Sequence, residues 1–314
     1  MYWENKFQET KHDMTKTWEN INKLLNKKKG NDSHPTTFSN GNTIYTTPTQ
    51  IANAFNNYFT NIGPSLAANI PATPRTAERL LPNFSTHNSL YLTPTTPYEV
   101  QNIIKKMKPK TSLSHDDISP KIIKKCSEHI IEPLTDIINL SLSSGIFPDM
   151  MEIAKVIAIH KKDNPSHISN YRPISLLPTF LKILERIVYN RLYDFLTTHN
   201  LLTTAQYGFC KTLSTEYAIL ELQDRIVKNI ANKEHCIGLF FDLSKAFDTL
   251  HHKILINKLD RLGIRGIPLN WFNSLLTNRQ QYTYHLNNSS NLRYIICCVP
   301  QGSILGPLLF LIYI

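Results

Sequence analysis

None of the five cysteines (Cys126, Cys210, Cys236, Cys297, Cys298) stands in a CxxC pair or at a Cys/His metal spacing. That speaks against structural zinc and makes a reduced, intracellular protein the simplest expectation. No secretory leader is expected either, since MYWENKFQETKHDM has no apolar stretch behind a basic cluster. Long hydrophobic runs are scarce. The longest, 304–314, is interrupted by Pro307 and too short to cross a bilayer, so no membrane association is expected. There is no Walker-type phosphate loop, no HExxH and no nucleophile elbow, which removes P-loop NTPases, zinc proteases and α/β-hydrolases from consideration. No internal repeat is present, and Asp116-Asp117 is the only Asp-Asp pair.

What the sequence does have is basic charge. Lys and Arg number 34 against 24 Asp and Glu, a net charge of +10 and a pI near 9.3. This points to a polyanionic partner, nucleic acid or an anionic surface. With 41% hydrophobic and 18% charged residues, the composition is globular rather than disordered. The length allows one large domain or two modest ones.

Along the chain, residues 1–28 read as a polar helix, with Phe7, Met14, Trp18, Ile21 and Leu25 at three- and four-residue steps. Lys27, Lys28, Lys29 and Gly30 would end it, cations suiting a helix C-terminus. The lysine run is too short to be read as a nuclear signal. A turn-rich linker covers 31–48, and Thr49 can cap a helix over 50–69. Residues 70–97 are rich in proline and threonine and read as an irregular connection. Apolar helices are then expected at 100–107, 120–127 and 130–144. Between 101 and 125 lie seven lysines against Asp116 and Asp117, the strongest local basic patch.

The segment 153–159 (IAKVIAI) reads as a strand leading into His160, Lys161 and Lys162, and 172–177 as a second short strand. Residues 180–197 form an amphipathic helix with Phe180, Leu184, Ile187, Val188, Leu192 and Phe195 on one side and Lys182, Arg186 and Tyr193 on the other. Arg191 falls inside the apolar arc and should snorkel or pair with a carboxylate. A further helix is expected at 215–232.

Three segments can carry chemistry. The run 236–241 (CIGLFF) has the texture of a strand buried on both faces and delivers Asp242 at its end. Asp242 is suited either to capping the turn that follows or to holding one of two metal ions about 4 Å apart in phosphoryl transfer. In VPQGSILGP, Gly302 and Gly306 permit close backbone approach, and Gln301 could touch a nucleotide; a tight turn before a helix is the plainer alternative. In NYRPISL, Pro173 pushes Arg172 toward an extended conformation, where its fork could grip a triphosphate or simply face solvent.

Taken together, HKKDNPSHISNYRPISLLPTFLKILERIVYNRL, AQYGFCKTLSTEYAI, FFDLSKAFDTLHH and VPQGSILGPLLFLIYI, in this order and spacing, resemble the reverse transcriptase domain of non-LTR (LINE-type, jockey-like) retrotransposons. The resemblance covers about 145–314. The basic, helical stretch 1–144 looks like the connector that precedes the polymerase in such proteins. What the resemblance implies is an α+β, right-hand polymerase fold, with fingers and an incomplete palm behind a helical, basic N-terminal extension. The implied reaction adds deoxynucleotides to a DNA primer on an RNA template with two Mg2+ ions, in or near the nucleus where target DNA lies. By motif, Asp242 would be the first metal-binding aspartate, helped by the Leu243 carbonyl. Phe247 would exclude a ribose 2′-hydroxyl. Arg172, with Lys161 and Lys162, would hold the triphosphate, and Gln301 and Gly302 would line the nucleotide pocket. Asp248 has no single role assigned. The basic patch at 101–125 would contact phosphates.

Two positions depart from the pattern: Cys210 replaces an arginine common after Gly-Phe, and Cys298 replaces a glycine before Val-Pro-Gln-Gly. The family's paired aspartates are not reached by residue 314, so the chain is expected to be an incomplete, inactive fragment, poorly soluble when isolated. The alternative is a degenerate, non-catalytic product that at most binds nucleic acid.

Overall fold

The structure, a computed structural model, describes residues 2–11, 13–25, 35–70, 86–211, 213–243 and 245–314. The lysine run at 27–29 and its helix stop at Gly30 lie outside these residues, as does most of the proline- and threonine-rich connection. Where the sequence suggests one N-terminal helix there are two, α1 (Tyr2–Glu9) and α2 (Met14–Leu24). They are separated where the Thr17 hydroxyl reaches back to the Thr10 carbonyl at 2.8 Å. The segment read as linker contains a small hairpin, β1 (Phe38–Asn40) and β2 (Thr43–Tyr45), whose Phe38 is wholly buried.

Three successive helices open with the same device, a hydroxyl cap followed by proline at the first helical position. In α3 (Pro48–Ala68) the cap is Thr47, not Thr49, and Gln50 completes a reciprocal capping box. In α4 (Pro97–Lys106) the cap is Thr96, and in α5 (Pro120–Ser144) it is Ser119. Helix α5 is continuous where two helices are suggested by sequence. Ile123, Ile131, Leu134, Ile138 and Leu142 bury one face along its whole length, and it passes through Pro133. It ends at Gly145, whose φ of +71° allows a left-handed cap against the start of the helix at 267.

The central sheet has strand order β4-β3-β5-β6, with β7 also on β5. It is built from β3 (Ile153–His160), β4 (Tyr171–Leu176), β5 (Gln280–His285), β6 (Asn288–Ser289) and β7 (Arg293–Tyr294). Strand β3 pairs antiparallel with β4, through Ile159 opposite Arg172, and parallel with β5, through Val156 opposite Thr283. Around it lie α6 (Thr179–Thr198), α8 (His252–Arg261), α9 (Ile267–Leu276) and α10 (Gly306–Tyr313). These join α4 and α5 in one large apolar core that includes Leu184, Leu259, Trp271 and Leu309. A second cluster joins Phe55 and Phe59 of α3 to Phe38, Val156, Ile168 and Tyr171. Packing thus crosses residue 144 in both clusters.

Two elements are unlike the rest. Helix α7 (Thr215–Ala231) forms where expected but buries no residue. The run 236–241, expected to be a doubly buried strand, is neither a strand nor buried. Ile237 is 87% exposed and Phe241 90%. An apolar run becomes a strand only if neighbours satisfy its backbone and cover its faces. Among the described residues no strand pairs with this run, and β3 and β5 pair directly with each other.

Candidate nucleic-acid interface

The β3–β4 ribbon positions the first group of site residues. Arg172 is exposed on β4 opposite Ile159. The ribbon continues one rung further, with the Lys161 N–H donating to the Asn170 carbonyl at 2.9 Å. Cross-strand alternation therefore places Lys161 on the face that carries Arg172. Lys162 is exposed in the bend beyond.

Strand β4 also anchors the 299–303 loop. The Ser175 N–H donates to the Gln301 carbonyl at 2.8 Å. Gly302 has a φ of +125°, and a Cβ there would lie 2.7 Å from the Ser175 oxygen, so glycine is required on both counts. The Gln301 side chain turns the other way and donates Nε2–H to Oδ1 of Asp248 at 3.0 Å. Burial pushes the Asp248 carboxyl above its usual range, with the Gln301 hydrogen bond and Lys245 acting against that rise. Asp248 thus finds its partner in Gln301. Phe247 packs in an aromatic group, 4.7 Å from Phe310 and edge-on to Phe209 at 5.9 Å.

The structure therefore brings Arg172, Lys161, Gln301 and Gly302 onto one ribbon and its docked loop, with Phe247 and Asp248 beside the loop. Asp242 and Leu243 are exposed in the irregular segment before them, and no hydrogen bond or ring contact among the described residues draws Asp242 into the group. No cluster of three or more His, Cys, Asp or Glu forms among the described residues. They do not by themselves make a cradle for a pair of Mg2+ ions.

The basic patch has a definite destination. Lys106 at the end of α4, with Lys108 and Lys110 beyond it, faces Lys182 and Arg186 of α6 across an open cleft of about 860 Å³. Gly302 and Ile304 form part of the same wall, so the cleft borders the loop that Gln301 belongs to. The one carboxylate lining it among the described residues, Glu99, is held by Arg191 through two parallel bonds of 3.0 and 2.9 Å. Burial works against the Glu99 charge, but hydrogen bonds from Arg191 and Thr95 prevail and hold its pKa below the ordinary value. Lys182 is shifted down, first by burial and then by Lys110. A concave surface that gathers Lys106, Lys108, Lys110, Lys182 and Arg186, with the Glu99 charge neutralised, is suited to phosphates.

Sequence reasoning missed two buried charged side chains behind the loop. Glu185 and Arg279 are both almost wholly buried, at 1% and 2% exposure. Glu185 accepts the Ile304 N–H at 2.7 Å, tying α6 to the loop. Burial raises the Glu185 carboxyl and lowers Arg279, and each acts electrostatically to stabilise the other's charge. The signal was available: Glu185 lies beside Leu181, Leu184 and Val188 on the apolar arc of α6.

Comparison with known proteins identifies the family of the domain. Residues 159–314 match the family model for reverse transcriptase (RNA-dependent DNA polymerase). The chain is 31% identical over 229 residues to the RNA-directed DNA polymerase from mobile element jockey of Drosophila melanogaster, covering 72% of this chain and 25% of that protein. The corresponding jockey polymerase of Drosophila funebris is 29% identical, over 70% of this chain and 24% of the relative. The Pol polyprotein from type-1 retrotransposable element R2 of Popillia japonica is 28% identical, over 55% and 24%. The chain spans about a quarter of the length of these relatives. Residues 159–314 are a reverse transcriptase domain, and by these residues the chain belongs to the non-LTR, LINE-type reverse transcriptases.

Proposed function

We propose that the chain handles template, primer and incoming nucleotide in an RNA-directed DNA polymerase of a mobile element. The observation that carries this is the cationic cleft ending at Gly302, beside the ribbon that bears Arg172 and Lys161. In this reading 145–314 supplies fingers and part of a palm, and 1–144 is the connector. The cleft cations and the basic ribbon hold phosphates of the nucleic acid and of the dNTP, giving affinity without sequence choice.

Arg172 offers a planar fork to the triphosphate, and Lys161 and Lys162 add charge beside it. The Gln301–Asp248 bond fixes the Gln301 side chain, and Ser175 fixes its carbonyl, so the loop presents a rigid wall to the nucleotide. The bulk of Phe247, held by Phe310 and Phe209, is the element proposed to reject a ribose 2′-hydroxyl by steric clash. The cofactor proposed is Mg2+, with Asp242 and the Leu243 carbonyl as its protein ligands here. The site of action is the nucleus, where target DNA lies.

A second reading, nucleic-acid binding without catalysis, is favoured by one observation: no group of three or more His, Cys, Asp or Glu forms around Asp242 or elsewhere among the described residues. Primer extension on an RNA template with dNTPs and Mg2+ separates the two. Extension that is lost in D242N, while hybrid binding is kept, supports the polymerase. Hybrid binding without extension favours the second reading, and failure of both overturns the assignment to nucleic acid.

A further inference from the structure

Arg186 takes part in two settings at once. It lines the cationic cleft, and its guanidinium lies over the Tyr189 ring, 5.2 Å from the centroid. Tyr189 in turn stacks on Tyr193, one helical turn on, with centroids 5.6 Å apart and planes 12° from parallel. Lys211 reaches over the same pair from the next loop, 4.3 Å from the Tyr193 centroid and 5.7 Å from that of Tyr189. The pair is only half-buried, and Lys211 is exposed. The backbone N–H of Lys211 donates to the Tyr193 hydroxyl at 3.3 Å, which fixes the loop against the rings.

From Lys182 to Tyr193 this face of α6 runs about 16 Å at the helical rise. It begins in the cleft and ends in the tyrosine pair, with Arg186 at the junction. Cations spaced along one helix face suit a phosphate backbone, and parallel aromatic rings beside them suit unpaired bases. Asp194 is the carboxylate that acts on Tyr189, and Arg186 opposes it.

We propose that Tyr189 and Tyr193 form a stacking platform for a single-stranded nucleic acid whose phosphates follow Lys182, Arg186 and Lys211 out of the cleft. This rests on the reading of the chain as a handler of nucleic acid, and deepens it by naming the strand state. In a duplex the base faces are already stacked on one another, so the rings have nothing to receive. An unpaired strand can place a base on the pair while Arg186 and Lys211 move from the rings to its phosphates.

The test is binding of the whole chain to labelled oligoadenylate RNA, its single-stranded DNA counterpart and a blunt RNA duplex, read by fluorescence anisotropy. Changing both tyrosines to alanine should weaken single-strand binding at least about fivefold and leave duplex binding unchanged. Changing both to phenylalanine keeps the rings and should keep the affinity. K211E, at an exposed side chain where folding is not at risk, should also weaken single-strand binding. Equal loss on duplex and single strand, or phenylalanine behaving like alanine, or no effect of K211E, would overturn the platform. Wild-type chain that binds none of the three probes would instead overturn the underlying reading.

Discussion

Arg191 of α6 grips Glu99 of α4 with both prongs of its guanidinium, and with its remaining donors holds the carbonyls of Thr93, Pro94 and Ile187. One side chain thereby locks together the two helices that wall the cationic cleft and neutralises the one acid that lines it among the described residues. Arg191→Lys keeps the charge but loses the planar fork. It should cost about 1.5–3 kcal/mol, the range for hydrogen bonds to charged groups, read as a lower urea midpoint.

The same pair sets an acid limit. The Glu99 carboxyl is held below its ordinary value of 4.5 in the folded chain, so its contribution is complete above that pH and is lost as pH falls through the folded value. Urea midpoints measured from pH 6 downward should fall more steeply for the wild type than for Glu99→Gln. Parallel curves would remove Glu99 from the acid response.

Lys182 gives the opposite limb. Its pKa lies below the ordinary 10.5, so it loses its proton earlier than a surface lysine as pH rises. Binding of an RNA–DNA hybrid should therefore weaken on the alkaline side, below the ordinary lysine value. The free protein should gain stability over the same interval, since the unfolded chain then binds the extra proton. Lys182→Arg, always charged, should abolish the early loss of binding. A wild type and arginine variant with superimposable pH profiles would contradict this.

Gly302→Ala tests the loop. The φ of +125° and the 2.7 Å approach to the Ser175 oxygen both penalise a side chain. A loss of about 1–3 kcal/mol is expected. Because the loop is pinned to β4, hydrogen exchange at the Ser175 amide should accelerate more than at the Trp271 core; uniform acceleration would mean that the loop is not locally held.

How much of this was legible in the sequence depends on whether the deciding partner was near in the chain. Strands β3 and β4 and helices α3, α6 and α7 follow from local periodicity, and of the two outcomes expected for Arg191 in an apolar arc, snorkelling or a carboxylate partner, the structure shows the second. That the carboxylate is Glu99, 92 residues away, was not legible. The Gln301–Asp248 bond and the meeting of Lys106, Lys108 and Lys110 with Lys182 and Arg186 were equally hidden, because tertiary packing creates them. The β1–β2 hairpin was missed because its strands are three residues each, too short for alternation to register. The error at 236–241 is the reverse case. Composition promised a strand, but a strand forms only against a partner, and among the described residues none pairs with this run.

That exposed run has a consequence for the life of the chain in a cell. Ile237, Leu239, Phe240 and Phe241 present exposed apolar side chains broken only by Gly238, without an interrupting charge or proline, next to a helix whose own Ile219, Leu220 and Ile230 also face solvent. Stretches of this texture are captured by holdase chaperones, and above modest concentrations they zip against copies of themselves. Yield of the recombinant chain should therefore be governed by this short segment rather than by the stability of the core. A lysine at Leu239 would act as a gatekeeper, raising the soluble fraction without touching the cleft.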